Sequence, residues 1–217
     1  MSTFPGSPRI VKGGIVLIDP ENSSIKKIIP LQYNPETLTR TFQVQGVGAE
    51  GAFSEALRLT GPPVETIKLE AEIDATDMLE NGNEDVVADG IQAQLAALET
   101  IVYPSSNQLL SNNSQAASGN IEIIPMETDL TLFIWNKNRI LPVRLTEFSI
   151  TEEAFDVNLN PIRAKVSLGF RILSVDDVGF DHKAGNLFMS YQQNKEKLAG
   201  KFNQGSLRDL GIENISL

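Results

Sequence analysis

The clearest feature of the chain is a long stretch of alternating apolar and polar residues between positions 139 and 175. In its second half, apolar side chains fall on every second position: Ala164, Val166, Leu168, Phe170 and Ile172. A period of two places these side chains on one face of a β-strand. Burying a side chain such as Phe170 contributes about 1.5–3 kcal/mol, which is enough to fix the strand register. We therefore expect two long strands joined by residues 151–161.

The alternation shifts by one residue within the first of these strands. Its apolar positions are Leu141, Val143 and Leu145, followed by Phe148 and Ile150. A β-bulge around Thr146 and Glu147 would produce this shift, and bulges bend strands. The pattern thus predicts a strongly curved sheet or the wall of a barrel.

Shorter patterned runs predict further strands and helices. We expect strands over residues 10–19, 24–33, 38–45, 64–75, 121–125 and 129–135. A helical face is indicated by Val87, Ile91, Leu95, Leu98 and Val102, which recur every three or four residues. Residues 187–198 predict a second, weakly patterned helix. Residues 46–63 are rich in glycine and residues 104–120 in Ser, Asn and Gln, so both predict long loops.

The number and order of these elements predict a mainly β fold. Consecutive hairpins imply antiparallel pairing, so we expect a β-barrel or sandwich with one packed α-helix and long loops. At 217 residues the chain suits one domain with an appendage. We place the β-domain at residues 1–180 and a helical or extended tail at residues 181–217.

The acidic residues are concentrated in one part of the chain. The net charge is −10, and residues 65–99 hold ten acidic side chains against the single basic Lys68. Such a surface repels phosphate backbones, so nucleic acid is not an expected partner. The acidic stretch is either a solvated face or a match to a basic surface on a partner. Arg163, Lys165 and Arg171 of a neighbouring copy would provide such a surface.

Composition also bears on the compartment. The chain has no cysteine, which removes disulfides and thiolate metal sites. Its first residues lack the layout of a signal peptide, and no apolar run approaches the roughly 20 residues that span a bilayer. We therefore expect a soluble cytoplasmic protein.

Three sets of residues could carry chemistry, and each has a plainer explanation. Residues 46–51 fit the G-x-G-x-x-G pattern, but the flanking strands alternate, unlike the buried parallel strands of a dinucleotide-binding fold. His182 is the only histidine, and without cysteine it cannot build a usual zinc site. Glu152 and Glu153 could pair like glycosidase acids, but they lie at a predicted hairpin tip. We expect no enzymatic activity, cofactor or metal.

Three segments resemble one known family. Residues 31–38, Leu-Gln-Tyr-Asn-Pro-Glu-Thr-Leu, resemble the Asn-Pro signature near the start of contractile injection system tube proteins, in the branch of tube-initiator or tube–baseplate adaptor subunits. Residues 148–155, Phe-Ser-Ile-Thr-Glu-Glu-Ala-Phe, resemble a later strand and turn of that family. Residues 159–166, Leu-Asn-Pro-Ile-Arg-Ala-Lys-Val, resemble the strand that follows. The similarity covers residues 10–175.

The resemblance implies a component of a phage-tail-like particle. Such subunits are barrel-like, assemble as hexameric rings, and either stack into the inner tube or join it to the spike hub at the baseplate. The expected partners are therefore copies of this chain, neighbouring tube rings, and spike hub, baseplate or sheath proteins. The protein would be cytoplasmic before assembly or release. Adaptor subunits often carry a LysM module, and residues 184–217 show no such pattern, which favours the tube-ring role.

Nine residues are expected to matter for assembly. Gln32, Tyr33, Asn34 and Pro35 would form a structural turn, Asn160 and Pro161 would precede the basic strand, and Arg163, Lys165 and Arg171 would form a polar wall or subunit contacts. Plain turns and a solvated strand face are the alternatives. A different function also stays open, namely a standalone β-barrel module that holds a ligand between the loops 46–63 and 104–120.

Overall fold

The structure is a computed structural model of the 217-residue chain. It describes residues 10–20, 22–46, 58–80, 84–117, 128–203 and 205–215. The strand expected at residues 121–125 and residues 47–57 of the expected glycine-rich loop lie outside this part of the chain.

The described strands form one seven-stranded sheet. They are β1 (Gly14–Ile18), β2 (Ile25–Pro30), β3 (Leu38–Gln43), β4 (Val64–Asp74), β5 (Leu130–Asn136), β6 (Arg139–Phe155) and β7 (Pro161–Ile172). Their order is β2-β1-β5-β6-β7-β4-β3, and each neighbouring pair is antiparallel. The prediction of a mainly β, antiparallel fold is confirmed. The sheet is open rather than a closed barrel, and β2 and β3 are its edges.

The two long strands expected from the alternation are β6 and β7, with 17 and 12 residues. Their pairing slips by one residue between Leu145 and Glu147, which confirms the predicted bulge. Gly169 lies opposite the bulge, where a Cβ atom would come within 2.8 Å of the Cβ of Glu147. The absence of a side chain at this position therefore leaves room for the bulged strand.

The apolar face of the sheet forms the core as the alternation predicts. In β4 the buried side chains are Ile67, Leu69, Ala71 and Ile73, and the exposed ones between them are Lys68, Glu70 and Glu72. The buried face continues across β7, β6 and β5, and Phe170 of β7 stacks on Phe133 of β5 with ring centroids 5.0 Å apart. Each alternating strand thus contributes one face to a shared core.

Helices cover this apolar face in two places. The described helices are α1 (Thr76–Glu80), α2 (Glu84–Asp89), α3 (Gln92–Glu99), α4 (Ser106–Ala117), α5 (Val175–Val178) and α6 (Lys183–Ala199), with a 3-10 turn at Leu207–Leu210. Ile91, Leu95 and Leu98 pack in the core near the end of β4, as predicted. Phe188 and Tyr191 of α6 enter the same core.

Two predictions about helices and loops were wrong. Residues 106–117, expected to belong to a loop, form α4, which buries no side chain and so leaves no apolar pattern in the sequence. The single helix expected through Val87 and Val102 is two helices, because Gly90 adopts φ +63° between α2 and α3. The described chain therefore has more helices than the packed helix and the C-terminal helix that the sequence predicts.

Candidate functional site

The open sheet is rolled, so that its two edges approach each other. β2 and β3 lie at opposite edges, yet only residues 31–37 separate them in the chain. A flat sheet of this width would place its edges roughly 29 Å apart, since neighbouring strands lie about 4.8 Å apart. Two residues beyond β2, however, Gln32 already contacts β4, the sixth strand in the order. The connection 31–37 therefore bridges the open side of the sheet.

Gln32 makes this bridge with its side-chain amide. Its Nε2 donates to the backbone oxygen of Asp74 (2.6 Å), and its Oε1 accepts from the backbone N–H of Asp74 (3.0 Å). The amide thus imitates the backbone of a neighbouring strand at the end of β4. The sequence prediction placed Gln32 in a structural turn, and the geometry gives it this partner.

Asn34 ties the same turn to the start of β1. Its Oδ1 accepts from the N–H of Gly13 (3.0 Å), and its Nδ2 donates to the oxygen of Val11 (2.9 Å). Pro35 is half-buried beside it, whereas Tyr33 is exposed and its hydroxyl accepts from Gln32 over 3.4 Å. Of the four predicted turn residues, Gln32 and Asn34 therefore attach the turn to the rest of the fold through hydrogen bonds.

Asp74 connects this turn to the basic residues of β7. Its carboxylate accepts from Arg163 Nε (2.8 Å), and the terminal nitrogen of Arg163 lies 2.7 Å from it. The Thr76 backbone N–H also donates to it, over 2.8 Å, as does the Thr76 hydroxyl. Partial burial alone would raise the pKa of Asp74, but the hydrogen bonds from Thr76 and Arg163 hold that pKa below its usual value. A charged carboxylate is therefore fixed where the bridge meets β4.

The other two basic residues of β7 also have acidic partners within the chain. Lys165 lies 3.3 Å from Glu153 on β6, and Arg171 lies 2.6 Å from Asp177 on α5. Each of the three basic residues thus forms an ion pair with a different carboxylate of the same chain. On the polar face of the sheet, cations and carboxylates therefore alternate.

The second Asn-Pro pair closes the β6–β7 turn against the helices. Asn160 accepts from and donates to neighbouring side chains: its N–H and Nδ2 donate to Asp156 (2.8 and 2.9 Å), and its Oδ1 accepts from Gln92 (3.0 Å). The oxygen of Pro161 accepts from the N–H of Ile91 over 2.9 Å. The hydrogen bonds from Asn160 hold the pKa of Asp156 below its usual value. This turn therefore fixes the start of α3 on the end of the sheet.

A cavity lies between the bridge and α3. Its volume is about 490 Å³, and its walls come from β2 with the residues after it, from the end of β4 and from α3. The walls are mostly apolar, and they include Ile29, Leu31, Ile73, Ala97 and Leu98. Among the residues that the structure describes in the two loops expected to hold a ligand, namely 46, 58–63 and 104–117, none lines this cavity.

Sequence analysis missed a buried polar cluster between the sheet and α6. Glu65 is 3% exposed and accepts from Arg40 Nε (2.8 Å) and from the Tyr191 hydroxyl (3.2 Å). Arg40 also donates to the Tyr191 hydroxyl over 2.6 Å, and Lys195 Nζ lies 3.8 Å from Glu65. Burial, followed by the charge of Glu65, raises the pKa of Tyr191 to about 12, and burial lowers the pKa of Lys195. The available signal was that Arg40 and Glu65 both lie on the apolar parity of their strands.

The remaining candidates for chemistry have structural roles or do not converge. His182 caps α6, because its Nδ1 accepts from the N–H of Ala184 over 3.1 Å. Within the described ranges, no group of three or more His, Cys, Asp or Glu residues is arranged to hold a metal ion. No helix in this part of the chain combines the length and apolar character needed to cross a membrane.

Comparison with known proteins gives the family. No curated protein matches the chain. A family model described as contractile injection system tube protein matches residues 15–177, about three quarters of the chain. This match spans β2 to β7, all but the first residue of β1, and the turn of Gln32 and Asn34, and it ends before α6. The chain belongs to the contractile injection system tube protein family.

Proposed function

We propose that this protein is a ring-forming structural subunit of a contractile injection particle and performs no catalysis. It forms a hexameric ring, either as a layer of the inner tube or as a tube initiator or adaptor between the tube and the spike hub at the baseplate. The tube-type domain comprises residues 1–180, and residues 181–217 extend it. The protein is cytoplasmic until the particle assembles or is released. The observation that carries this proposal is an open sheet whose two edge strands have no outer partner among the described residues, in a member of a tube family.

The two edges supply backbone groups for pairing with a neighbour. β2 and β3 each have six residues, and within the described chain neither pairs with a strand on its outer side. Unpaired edges invite strand addition, and Lys26, Lys27 and Pro30 are the residue types that restrain it before assembly. Pairing of β2 on one copy with β3 on the next is a heterologous contact, which closes into a ring when the rotation permits.

The polar face of the sheet suits the wall of a ring. Arg163, Lys165 and Arg171 each have an acidic partner in the same chain, and so does Lys68, which lies 2.7 Å from Glu147. We propose that these pairs keep the wall polar without a dominant sign of charge. The Gln32–Asn34 turn supports the wall, since it fixes the edge strands that a neighbour would meet.

The mass of the purified protein in solution tests the proposal. Native mass spectrometry and negative-stain microscopy should show sixfold rings or stacks of them. A strict monomer, even at high concentration, would contradict ring formation. That result would favour the standalone binding module, with the cavity of about 490 Å³ as its site.

A proline substitution on β2 tests the edge itself. Leu31 donates its N–H to the oxygen of Gly13, next to β1. Successive N–H groups of a strand point to opposite sides, so the N–H of Ile28, three residues earlier, points away from β1. Ile28→Pro removes this outward donor and retains the hydrogen bonds between β2 and β1. Rings should be lost while the monomer stays folded. Ile28→Thr, which keeps the N–H, is the matched control and should form rings; rings from Ile28→Pro would exclude pairing through β2.

A further inference from the structure

The segment that follows α6 is rich in apolar side chains that no other described residue covers. All described residues from 196 to 215 are exposed. The large apolar side chains among them are Leu198, Phe202, Leu207, Leu210, Ile212 and Ile215, and Phe202 and Leu210 are 76% and 73% exposed. We call residues 198–215, residue 204 excepted, the apolar arm.

The apolar arm is nevertheless ordered in part. The 3-10 turn Leu207–Leu210 begins with a capping box between Ser206 and Asp209 and ends at Gly211 in the left-handed conformation. The hydrogen bonds to Ser206 hold the pKa of Asp209 below its usual value. Six large apolar side chains are exposed within this one segment, and concentrated exposed apolar surface marks an interaction site. The arm therefore presents a preformed turn with Leu207 and Leu210 outward.

The cavity has the complementary chemistry. Its volume of about 490 Å³ falls in the range of roughly 300–1,000 Å³ typical of ligand sites. Ile28, Pro30 and Ala93 on its rim are exposed, so it opens to the outside. The Oε1 atom of Gln94, a lining residue, is buried with no hydrogen-bond partner in the described chain. A docked segment that brings an N–H donor would satisfy this acceptor.

The helix that leads into the arm, α6, contacts one end of β4, and the cavity lies at the other end. α6 is held to Glu65, the second residue of β4, by Tyr191 and Lys195, and the arm continues from the end of α6. The cavity is lined by residues 71–73 at the other end of β4. Six residues of strand separate Glu65 from Ala71, about 20 Å at 3.3 Å per residue. Two copies in the same orientation, placed end to end, thus bring the Glu65 end of one copy, where α6 leads into the arm, towards the cavity of the next.

We propose that the apolar arm docks into this cavity on a second copy of the chain and so joins successive layers of the assembly. The contact is heterologous and repeats without closing, as stacking along a tube requires. The proposal rests on the self-assembly proposed above and adds the surface for contact between layers. The arm lies beyond residue 177, where the family match ends, so the match itself does not include this contact.

Cross-linking between copies tests this contact directly, because the chain has no cysteine of its own. One variant carries Ala97→Cys in the cavity and another carries Leu210→Cys on the arm. Full-length samples of the two are mixed and treated with a short bis-maleimide, so that only links between copies form a mixed dimer. The control replaces Ala97→Cys with Val157→Cys, at a tip residue that is 98% exposed.

The arm–cavity pair should give about tenfold more mixed dimer than the control pair, because docking raises the effective concentration of the two thiols. Equal yields would overturn the proposal and would assign the arm to another component or to no partner. Ring formation by the unmodified protein is scored separately. If rings form but the two cross-linking yields are equal, only the proposed arm contact is refuted. If the arm–cavity pair cross-links preferentially but no rings form, only the proposed hexameric ring is refuted.

Discussion

Replacing Glu65 by alanine should destabilise the protein more than any comparable change on the polar face. The carboxylate is 3% exposed and bonds Arg40 and Tyr191, so its removal leaves a guanidinium without its counter-charge. Breaking a buried ion pair costs about 3–5 kcal/mol. The Arg40 side chain is 24% exposed and can recover some hydration, so we expect a loss near the lower end, about 3 kcal/mol.

The loss is measurable by urea unfolding followed through the single tryptophan, Trp135, which packs against Phe133 in the core. The matched control is Glu147→Ala, whose partner Lys68 forms a pair in which the two side chains are 60% and 58% exposed. Exposed pairs contribute about 0–1 kcal/mol. If Glu65→Ala costs no more than Glu147→Ala, then the buried cluster does not hold α6 to the sheet.

A double-mutant cycle separates the contribution of α6 from that of the strand pair. Tyr191→Phe removes the hydroxyl that donates to Glu65 and accepts from Arg40. Residues in one hydrogen-bonded network typically show coupling energies of about 0.5–3 kcal/mol. We expect a coupling in this range between Glu65→Ala and Tyr191→Phe. Additive effects would mean that the tyrosine hydroxyl is energetically independent of the carboxylate.

Three further measurements probe the turns and the cluster. Gly90→Ala should destabilise the fold more than Gly211→Ala in thermal unfolding: both glycines have positive φ, and Gly211 lies in the left-handed region, where an alanine costs about 1–2 kcal/mol, but of the two only Gly90 has backbone, the oxygen of Pro161, in the space that a Cβ would take. Gln32→Ala should cost about 1–3 kcal/mol by losing two hydrogen bonds to the β4 backbone, whereas Gln32→Glu should recover only the accepting one. The pKa of Tyr191 is raised from 10.0 to about 12, so the stabilisation linked to its protonated hydroxyl is complete below pH 10 and is lost between pH 10 and 12. In urea titrations, the free energy of unfolding of Tyr191→Phe should therefore fall less across that pH range than that of the unmodified protein.

The sheet could be predicted from the sequence because its strands are half-buried. In β4 and β7 one face enters the core and the other meets solvent, so burial imposes a period of two on the residues themselves. The bulge was predictable for the same reason, since a slip of one residue moves the apolar side chains to the other parity. Both depend only on neighbours within one strand pair.

Features that depend on distant residues were not predictable. Glu65 and Tyr191 are 126 positions apart, and nothing in the sequence shows that α6 brings them together. The acidic partners of Arg163 and Lys165 follow from the β7 register, so the basic positions could not be distinguished from a surface awaiting a partner. α4 was missed because a helix without a buried face carries no periodic signal.

The groups that already have partners within the chain indicate which interactions should drive assembly. The basic residues once expected to attract a neighbour are already paired with Asp74, Glu153 and Asp177. The described chain also leaves backbone at two sheet edges without partners and apolar side chains of the arm exposed. Contacts between exposed charges weaken with added salt, because the Debye length falls from about 10 Å at 0.1 M to about 3 Å at 1 M. Salt does not weaken apolar burial or backbone strand pairing in this way. Assembly should therefore persist at 1 M salt in sedimentation experiments. Dissociation at high salt would mean that contacts between acidic and basic surfaces hold the copies together, rather than the sheet edges and the apolar arm.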